Sequence, residues 1–328
     1  MKTILVTGGA GYIGAHAVHA LKKAGDYKIV VVDNFSQSRK NIIDDPAISY
    51  HQSDIRNKSA LMDIFASVKP DAVMHFAALA SVPDSIIKPF EYYENNVVGG
   101  LNVLECMRAH KTKYIVFSSS ASVYGEPQSA TIKEDHQKYP TNPYGYTKLL
   151  FEIMLKNYFT AYGISSISLR YFCAAGCDNE AKLGEYHTPE THAIPCIVQT
   201  LLGQRSEFTV FGDDYSTPDG SGIRDYIHVS DLATAHTLSM KRLFEQKTLV
   251  EQYNLGINKG FSVFELIKTA EKISGKKVVF TVKARRPGDP SSLVADSTAA
   301  QINLNWKPIH TDIKDMVSSS YEFFKNIK

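Results

Sequence analysis

The feature that most constrains this chain is a regular alternation, over its first half, between short apolar runs and longer amphipathic segments. Each run is rich in Val, Ile, Phe or Tyr and nearly continuous, as expected of a strand that is covered on both faces. The runs are residues 4–8, 27–33, 48–54, 71–78, 113–120 and 166–172, and the helix candidates lie near 12–24, 58–68, 91–109 and 144–162. This order predicts an α/β fold built on a parallel sheet flanked by helices.

The pattern changes after about residue 172. A stretch rich in Gly, Asp and Pro, GDDYSTPDGSG at 212–222, interrupts the alternation, and later segments are typical of short strands and separate helices. One later helix start is well marked, because Ser262 and Glu265 have the spacing of a capping box ahead of apolar positions. We therefore predict a large N-terminal α/β domain and a smaller, mixed α/β C-terminal domain.

Composition limits the possible partners. The chain has 328 residues, 44% of them hydrophobic, which suffices for one large core or two domains that share an interface. Its formal net charge is +2 with the basic residues scattered, which argues against a nucleic acid or a membrane surface as partner. No apolar stretch reaches the roughly 18 residues of a membrane span. We therefore expect a cytoplasmic protein.

The cysteines argue against a disulfide or zinc framework. There are four of them, Cys106, Cys173, Cys177 and Cys196, which is too few for a disulfide-stapled fold of this length. The Cys173/Cys177 pair lacks the further Cys or His ligands at the spacing of a structural zinc site. We expect reduced thiols and predict no metal site.

The sequence GGAGYIG, residues 8–14, indicates a dinucleotide site. Gly8, Gly11 and Gly14 follow a predicted strand and precede a predicted helix, where backbone N–H groups can bind a pyrophosphate. Their G-x-x-G-x-x-G spacing differs by one residue from the commoner G-x-G-x-x-G. Asp33 ends the second run, 19 residues after Gly14, close to the position of an acid that binds the adenosine ribose. Because a carboxylate there repels a 2′-phosphate, NAD is favoured over NADP. A dinucleotide site at this place in the alternating pattern predicts a doubly wound sheet of the Rossmann type.

A second motif carries proton chemistry. Tyr144 and Lys148, in PYGYTK, are four residues apart and so share one face of a helix. A tyrosine that acts as a base near pH 7 needs its pKa lowered by roughly 3 units, about 4 kcal/mol. A lysine ammonium about 5 Å away contributes on the order of 3 kcal/mol at an effective dielectric of 20. An oxidised nicotinamide ring adds more positive charge, so the required shift is within reach. The fifth run ends in the serine-rich SSSASVYG, residues 118–125, which supplies Ser120 as a further polar candidate.

Together, GGAGYIG, SSSASVYG and YGYTK resemble the extended short-chain dehydrogenase/reductase family. Further segments resemble its UDP-hexose 4-epimerase branch from end to end, namely HFAA (75–78), EYYENNV (91–97), LRYF (169–172), residues 211–236 and RRPGDP (285–290). The long 211–236 match, FGDDYSTPDGSGIRDYIHVSDLATAH, is the most specific of these. The resemblance implies NAD-dependent epimerisation at C4 of a UDP-hexose (UDP-glucose/UDP-galactose) through a transient 4-keto sugar.

The resemblance also implies roles for individual residues. It makes Tyr144 the base, Ser120 a hydrogen-bond partner of the reacting oxygen, and Lys148 the ligand of the nicotinamide ribose. The implied cofactor-binding residues are Gly8, Gly11, Tyr12, Ile13, Gly14, Asp33, Asn34, Asp54, Ile55, Phe76, Ala77, Ala78, Asn95, Ser118, Tyr144, Lys148 and Tyr171. The implied substrate-binding residues are Ser120, Tyr144, Cys173, His192, Phe211, Arg224, Arg286, Asp289 and Leu293. For Asp54, a contact to adenine and an ordinary turn carboxylate have equal weight. Without the family resemblance, Arg224 and Arg286 would be interpreted as residues of interdomain or surface ion pairs.

Four positions depart from the pattern of the family. Cys173 replaces the usual Asn, and a thiol is a weaker donor than an amide. His192 replaces a sugar-facing Asn of some members and can still donate a hydrogen bond. Ala80 replaces a lysine that binds the cofactor in some members. Leu293 is intermediate in size at the position thought to govern room for an N-acetyl group, so UDP-N-acetylhexosamines remain alternative substrates.

Other functions on the same scaffold are weighed by their chemistry. A nucleotide-sugar dehydratase uses an Asp-Glu pair after the catalytic hydroxyl, but here Ala121 and Ser122 follow Ser120. A decarboxylase, a net ketone reductase and a non-catalytic NAD-binding regulator are the remaining alternatives. We predict an NAD-binding domain of residues 1–171 plus about 225–256 and a UDP-sugar domain of about 172–224 plus 257–328. By family resemblance we also expect a homodimer that pairs through the Tyr-x-x-x-Lys helix and the helix before it.

Overall fold

The computed structural model of the chain describes residues 1–38, 42–178, 180, 182–286 and 289–327. Its centre is a seven-stranded sheet of order β10-β6-β5-β4-β1-β2-β3, in which every neighbouring pair is parallel. The strands are β1 (Lys2–Thr7), β2 (Tyr27–Asp33), β3 (Ile48–Gln52), β4 (Ala72–His75), β5 (Tyr114–Ser120), β6 (Ser165–Tyr171) and β10 (Val250–Leu255). The chain order reverses direction between β1 and β4, which is where doubly wound sheets bind their ligands.

Helices cover both faces of this sheet. They are α1 (Tyr12–Ala24), α2 (Lys58–Val68), α5 (Gly100–Ala109), α6 (Pro143–Tyr162) and α8 (Val229–Gln246), and the short helices α3 (Val82–Ile87) and α4 (Pro89–Tyr92) pack on α6. Successive side chains of a strand point to opposite faces. Accordingly Ile4 and Val6 belong to the apolar core under α1 and α8, whereas Leu5 belongs to the core under α2, α5 and α6.

The second half of the chain forms smaller sheets. One sheet has four strands, β7 (Cys173–Ala175), β9 (Ile223–His228), β11 (Gly260–Ser262) and β13 (Ser292–Leu293). The other has two strands, β8 (Phe208–Phe211) and β12 (Phe280–Lys283). The remaining helices are α7 (Ala193–Leu201), α9 (Val263–Ser274), α10 (Thr298–Asn303) and α11 (Ile313–Asn326). A third apolar core joins α7, α9 and α11. The expected capping box is confirmed, since Ser262 Oγ accepts from the Glu265 nitrogen at 3.1 Å and the Glu265 carboxylate accepts from the Ser262 nitrogen at 2.7 Å.

The structure confirms the predicted α/β class and moves several boundaries. The run 71–78 is a strand only to His75, because residues 76–80 leave the sheet and line a cleft. The single helix predicted at 91–109 is wrong in detail: α4 continues into a π-helical stretch, Tyr93–Gly99, before α5 begins. None of the helices in the described ranges is long and apolar enough to cross a membrane.

Candidate active site

A cleft of about 470 Å³ opens over the carboxyl ends of β1 to β6, between the seven-stranded sheet and the sheet that contains β9. It gathers most of the residues that the sequence singled out. Those that line it are Gly8, Gly11, Tyr12, Ile13, Gly14, Asp33, Asn34, Ile55, Phe76, Ala77, Ala78, Asn95, Ser118, Ser120, Tyr144, Lys148, Tyr171, Cys173, His192, Arg224, Asp289 and Leu293. The three that do not line it are Asp54, Phe211 and Arg286.

The glycine loop is packed too tightly for side chains. A Cβ at Gly8, whose φ is +70°, lies 2.5 Å from the backbone nitrogen of Ala77, and a Cβ at Gly14 lies 2.1 Å from the carbonyl oxygen of Gly8. Gly11 precedes α1, and no side chain caps that helix. The N–H groups of the first turn are therefore available to an anion that approaches along the loop.

Asp33 connects this loop to β2. Its buried carboxylate accepts hydrogen bonds from the backbone nitrogens of Ala10, at 3.0 Å, and Phe35, at 2.8 Å, and from the Ser38 hydroxyl at 3.1 Å. Each carboxylate oxygen has two lone pairs, so acceptor capacity remains toward the cleft. Asp33 thus both shapes the glycine loop and presents an acceptor at its edge.

Asp54 is occupied by protein partners. It accepts from Asn34 Nδ2 at 3.0 Å and pairs with the Arg56 guanidinium through both oxygens, at 2.9 and 2.8 Å. The hydrogen bonds from Arg56 hold the pKa of the Asp54 carboxyl well below its usual range. Its neighbour Ile55 lines the cleft instead.

Two asparagines lie in the π-helical stretch, a feature that is frequent at functional sites. Asn95 faces the cleft and donates to Asn96 Oδ1 at 3.0 Å. Asn96 is buried; its side chain donates to the Leu79 carbonyl and to Thr147 Oγ1, each at 3.0 Å, and accepts from the Leu79 nitrogen at 2.8 Å. The loop after β4, the π-helical stretch and α6 are therefore fixed to one another by one side chain that the sequence did not single out.

Ser120, Tyr144 and Lys148 all line the cleft, and Ser120 and Tyr144 share a side-chain hydrogen bond. Ser120 ends β5, and Asn142 caps α6 by accepting from the Gly145 nitrogen at 2.9 Å, so Tyr144 lies in the first turn of that helix. Lys148 follows one turn later; its Nζ lies 5.7 Å from the centre of the Tyr144 ring and donates to the Ser118 carbonyl at 2.6 Å.

The electrostatics of this group differ from the sequence expectation. Burial raises the pKa of Tyr144 to about 12, opposed by a hydrogen bond with Ser120. Burial lowers the pKa of Lys148 to about 7, opposed by the charge of Glu152. Because desolvation penalises both charged forms, the Lys148 charge stabilises a Tyr144 phenolate less than the spacing in the sequence suggests, and the charge of an oxidised nicotinamide ring carries more of that role.

A buried ion pair anchors α6 behind these residues. Glu152 lies one turn beyond Lys148 and accepts from Arg170 of β6 at 2.9 and 2.6 Å and from the Ser119 hydroxyl at 2.6 Å. Arg170 also donates to the Tyr124 hydroxyl at 2.8 Å. Both members of the pair are buried. Sequence reasoning missed this network, because it joins strand and helix only in the folded chain.

The opposite wall of the cleft comes from the second half of the chain. Arg224 on β9 donates to Asp289 at 3.2 Å and to the Ile223 carbonyl at 2.8 Å. Cys173 on β7 is next to it in the cleft lining, and burial raises the pKa of its thiol to about 12. Arg286 stacks on the Phe211 ring with its guanidinium carbon 3.9 Å from the ring centre. These two residues therefore contact each other outside the cleft lining.

A further cluster was not foreseen. His192, a predicted substrate residue, lies on the cleft, and its Nδ1 is 2.9 Å from a carboxylate oxygen of Glu185 and of Glu190. The Glu185 carboxylate raises the pKa of His192 well above its ordinary value. His187 completes the cluster. The E-x-H-x-x-E-x-H spacing of residues 185–192 was the available signal in the sequence.

A doubly wound sheet with a glycine loop at its switch point and Ser, Tyr and Lys at one cleft defines the class of extended short-chain dehydrogenase/reductases. The family model described as GDP-mannose 4,6 dehydratase matches residues 5–319. A UDP-glucose 4-epimerase of Halalkalibacterium halodurans is 45% identical over 322 residues, 98% of this chain and 95% of the relative. The chain belongs to the UDP-glucose 4-epimerase family, which confirms the resemblance stated above.

Solved structures agree with this assignment. A UDP-glucose 4-epimerase from Bifidobacterium longum in complex with NAD⁺ and UDP is 38% identical, with a TM-score of 0.93 and 99% of each chain covered. A UDP-Glc/GlcNAc 4-epimerase from Campylobacter jejuni is 34% identical, with a TM-score of 0.87 and 100% of each chain covered. The similarity therefore extends over the cofactor and sugar sides of the cleft alike.

Proposed function

We propose that this protein binds NAD and interconverts UDP-glucose and UDP-galactose by epimerisation at C4. The observation that carries the proposal is the composition of the one cleft. Its sheet side holds the glycine loop and the Ser120, Tyr144 and Lys148 group, and its other side holds Arg224 with Asp289. A dinucleotide and a nucleotide sugar are the two ligands that this pairing of features fits.

The residues present fit NAD. The pyrophosphate would lie along the glycine loop at the start of α1, which no side chain caps. Asp33 would accept from the adenosine ribose, and its negative charge favours NAD over NADP. The other implied cofactor residues, Tyr12, Ile13, Asn34, Ile55, Phe76, Ala77, Ala78, Asn95, Ser118 and Tyr171, line the same side. For Asp54 the pairing with Arg56 favours a positioning role beneath the adenine end.

The chain's own residues would move one proton. Tyr144 would accept the proton of the sugar 4-hydroxyl and later return it, while Ser120 hydrogen-bonds the same oxygen. Bound NAD supplies a hydride acceptor and a positive charge at the nicotinamide ring, with no net redox change over the cycle. That charge is the additional stabilisation that the phenolate needs, since burial raises the pKa of Tyr144 to about 12. Lys148 would hold the nicotinamide ribose.

The substrate residues would bind the UDP part. Arg224 and Arg286 each present a planar set of donors, which suits a diphosphate. Phe211 would stack on the uracil and Asp289 would accept from a ribose. Phe211 and Arg286 stack on each other outside the cleft lining, so both side chains would have to turn toward the cleft to bind UDP. Cys173, His192 and Leu293 would face the sugar.

UDP-N-acetylhexosamines are the second candidate substrates. Leu293, half-buried in the cleft lining, is intermediate in size where room for an N-acetyl group is decided. The Campylobacter jejuni relative is named for both UDP-Glc and GlcNAc. Dehydration is disfavoured, although the matching family model bears a dehydratase description. Ala121 and Ser122 form the turn after Ser120 and offer no acid or base.

The test is direct. Purified protein is incubated with UDP-galactose and, separately, with UDP-N-acetylgalactosamine, with and without added NAD, and the products are separated by chromatography. We expect the C4 epimer of UDP-galactose to form. If neither substrate gives its C4 epimer when NAD is added, the proposed function is refuted. The ratio of kcat/KM for the two substrates decides the sugar preference.

We propose the domain division at residues 1–171 plus about 225–256, against about 172–224 plus 257–328. Its support is that β10 completes the seven-stranded sheet and α8 packs on α1. The segment 225–228 belongs to β9 (Ile223–His228), which pairs within the smaller sheet, so the proposed boundary at about 225 falls inside that strand. A cytoplasmic location is proposed with it, and the four free cysteines agree with a reducing compartment.

We also propose a homodimer through α6 and the helix before it. Tyr146, Leu150 and Ile153 form an exposed apolar stripe on α6, and Val98 and Leu101 are exposed on the preceding helix. These positions recur at helical spacing, which is typical of a face that a second helix covers. Light scattering after size exclusion should give twice the chain mass. Leu150→Glu should halve it, whereas Ile302→Glu, at an exposed position on α10, should not.

A further inference from the structure

Four side chains between β7 and α7 form a compact set of metal ligands. They are Glu185, His187, Glu190 and His192, and one ligand atom from each lies within 4.8 Å of all the others. All four come from one eight-residue segment, and His192 directly precedes α7. None of them belongs to the glycine loop or to the Ser120, Tyr144 and Lys148 group, but His192 is also proposed above as a residue that faces the sugar.

The burial of the two carboxylates demands positive charge. The side chains of Glu185 and Glu190 are only 6% and 3% exposed. Within the described parts of the chain, the ion pairs recorded for these two carboxylates are all with the two histidines, none with lysine or arginine. Buried carboxylates are costly unless a cation or a metal compensates them. Two carboxylates and two neutral imidazoles carry a charge of –2, which one divalent cation balances.

The cluster also contains polar atoms without a hydrogen-bond partner. Glu190 Oε2 and His187 Nδ1 are both buried and make no hydrogen bond. They face each other at 3.5 Å, inside the same cluster. Buried polar atoms in native proteins nearly always have a partner, and an exception calls for an explanation such as an ion. An ion between these two atoms would satisfy both.

The distances fit a tetrahedral ion. The four carboxylate–imidazole distances are 3.5, 3.5, 2.9 and 2.9 Å, and Glu190 contacts the two histidines through different oxygens. Ligand atoms about 2.0–2.2 Å from a tetrahedral zinc lie about 3.3–3.6 Å from one another. Since one ligand atom from each residue lies within 4.8 Å of the others, shifts of about an ångström bring the set to that geometry. Nitrogen and oxygen ligands in a tetrahedral set favour zinc over magnesium or calcium, which take more oxygen ligands.

We propose that Glu185, His187, Glu190 and His192 bind one divalent cation of the zinc class. With four protein ligands the site is closed, which is typical of a structural rather than a catalytic metal. Three of the four ligands line the cleft. The metal would therefore fix the segment 185–192 against the start of α7 and hold this wall of the cleft in place.

The experiment measures metal directly. Protein without a histidine tag is purified in metal-depleted buffer, and its metal content is determined by mass spectrometry. After chelation, Zn²⁺ binding is measured by calorimetry, and Co²⁺ serves as a spectroscopic probe of tetrahedral coordination. We expect one Zn²⁺ per chain, visible Co²⁺ bands that Zn²⁺ displaces, and a Tm that Zn²⁺ raises.

Two variants and one control locate the site. Glu190→Gln keeps the shape of the side chain but removes a charged ligand, and His187→Asn removes the imidazole. Each should weaken Zn²⁺ binding at least about tenfold and abolish the Zn²⁺-dependent rise in Tm. His19→Asn, at an exposed histidine on α1, should bind Zn²⁺ as the parent does.

Three results would overturn the proposal: no bound metal and no Co²⁺ bands, binding that the two cluster variants leave unchanged, or binding that His19→Asn removes. If Glu190→Gln does not fold, His187→Asn and the metal content of the parent protein still decide. Epimerase activity is not needed for any of these measurements.

Discussion

The two walls of the cleft are held in different ways. On the sheet side, Ser120 ends a seven-residue strand and Lys148 lies on a twenty-residue helix. On the sugar side, Cys173 and Leu293 lie on strands of three and two residues, and Asp289 lies outside the strands. The residues proposed for proton transfer are thus placed by elements with a large core of their own. Of those proposed for substrate binding, only Arg224 lies on a longer strand, the six-residue β9, and the others named here depend on short elements. Substitutions on the two sides should therefore affect different measurements.

The largest effect is expected for Tyr144→Phe. Loss of general base catalysis should lower kcat by about 10²–10⁴, with bound NAD retained, because the ring and its packing remain. The measurement is turnover of UDP-galactose together with NAD content after denaturation. Tyr146→Phe is the matched control, since Tyr146 is exposed on the same helix. Turnover in Tyr144→Phe close to that of this control would contradict the proposed base.

The second prediction tests what holds the sheet side. Arg170→Met leaves Glu152 buried without its partner and should lower the free energy of unfolding by about 3–5 kcal/mol. The double variant with Glu152→Leu should recover most of that loss. Arg108→Met, which breaks an exposed pair with Glu105, should cost about 0–1 kcal/mol. Urea unfolding measures all of them, and equal losses for the buried and exposed pairs would show that the buried pair does not anchor the sheet side.

The third prediction uses the buried lysine. The pKa of Lys148 is about 7 in the folded protein and about 10.4 in an unfolded chain. Between these two pH values the unfolded state binds a proton that the folded state does not, so the free energy of unfolding rises with pH. The stability contributed by neutral Lys148 is lost as pH falls from the unfolded pKa through the folded pKa. Relative to Lys148→Met, the parent protein should gain roughly 2 kcal/mol in its free energy of unfolding between about pH 7.5 and 9.5. Parallel pH profiles of the two proteins would show that Lys148 stays charged.

The same contrast explains how much of the molecule the sequence predicts. The runs at 27–33 and the helices at 12–24 and 58–68 appear at the expected bounds. The spacing of apolar residues in a strand or a helix is a local property of the sequence, so tertiary packing does not alter what it predicts. The glycine loop, Asp33 and the Tyr144/Lys148 pair were also visible, since strand ends in a parallel sheet meet at one edge.

What the sequence did not reveal depends on tertiary contacts. Glu152 and Arg170 read as ordinary polar positions until β6 and α6 pack together. Asn96 looks no different from Asn95, yet only Asn96 is buried against Leu79 and Thr147. The two asparagines point in different directions because they lie in the π-helical stretch, and no characteristic residue composition marks such a stretch in the sequence. The desolvation of Tyr144 and Lys148 likewise follows from burial, which spacing alone does not give.

The fourth prediction moves to the sugar side. Arg224→Lys keeps the charge but loses the planar pair of donors. One hydrogen bond to a charged group is worth about 1.5–3 kcal/mol, so KM for the UDP-sugar should rise about 10–100-fold with kcat changed only a few-fold. Arg285→Lys is the control, because Arg285 pairs with Asp214 at an exposed site. Steady-state kinetics of both variants separate the two parameters. A fall in kcat without a change in KM would place Arg224 with the residues of the sheet side.

The smallest effect is expected at Cys173, where the chain departs from the family. Cys173→Asn adds a stronger donor to the cleft lining, and one neutral hydrogen bond is worth about 0.5–1.5 kcal/mol. KM should therefore fall about two- to tenfold, whereas Cys173→Ala should leave it nearly unchanged because the thiol donates weakly. Steady-state kinetics give KM, and thermal unfolding of both variants shows whether the larger amide strains β7. If Asn raises KM while Tm holds, the position shapes the cleft by volume, and the short strands of this wall select the sugar by space rather than by hydrogen bonds.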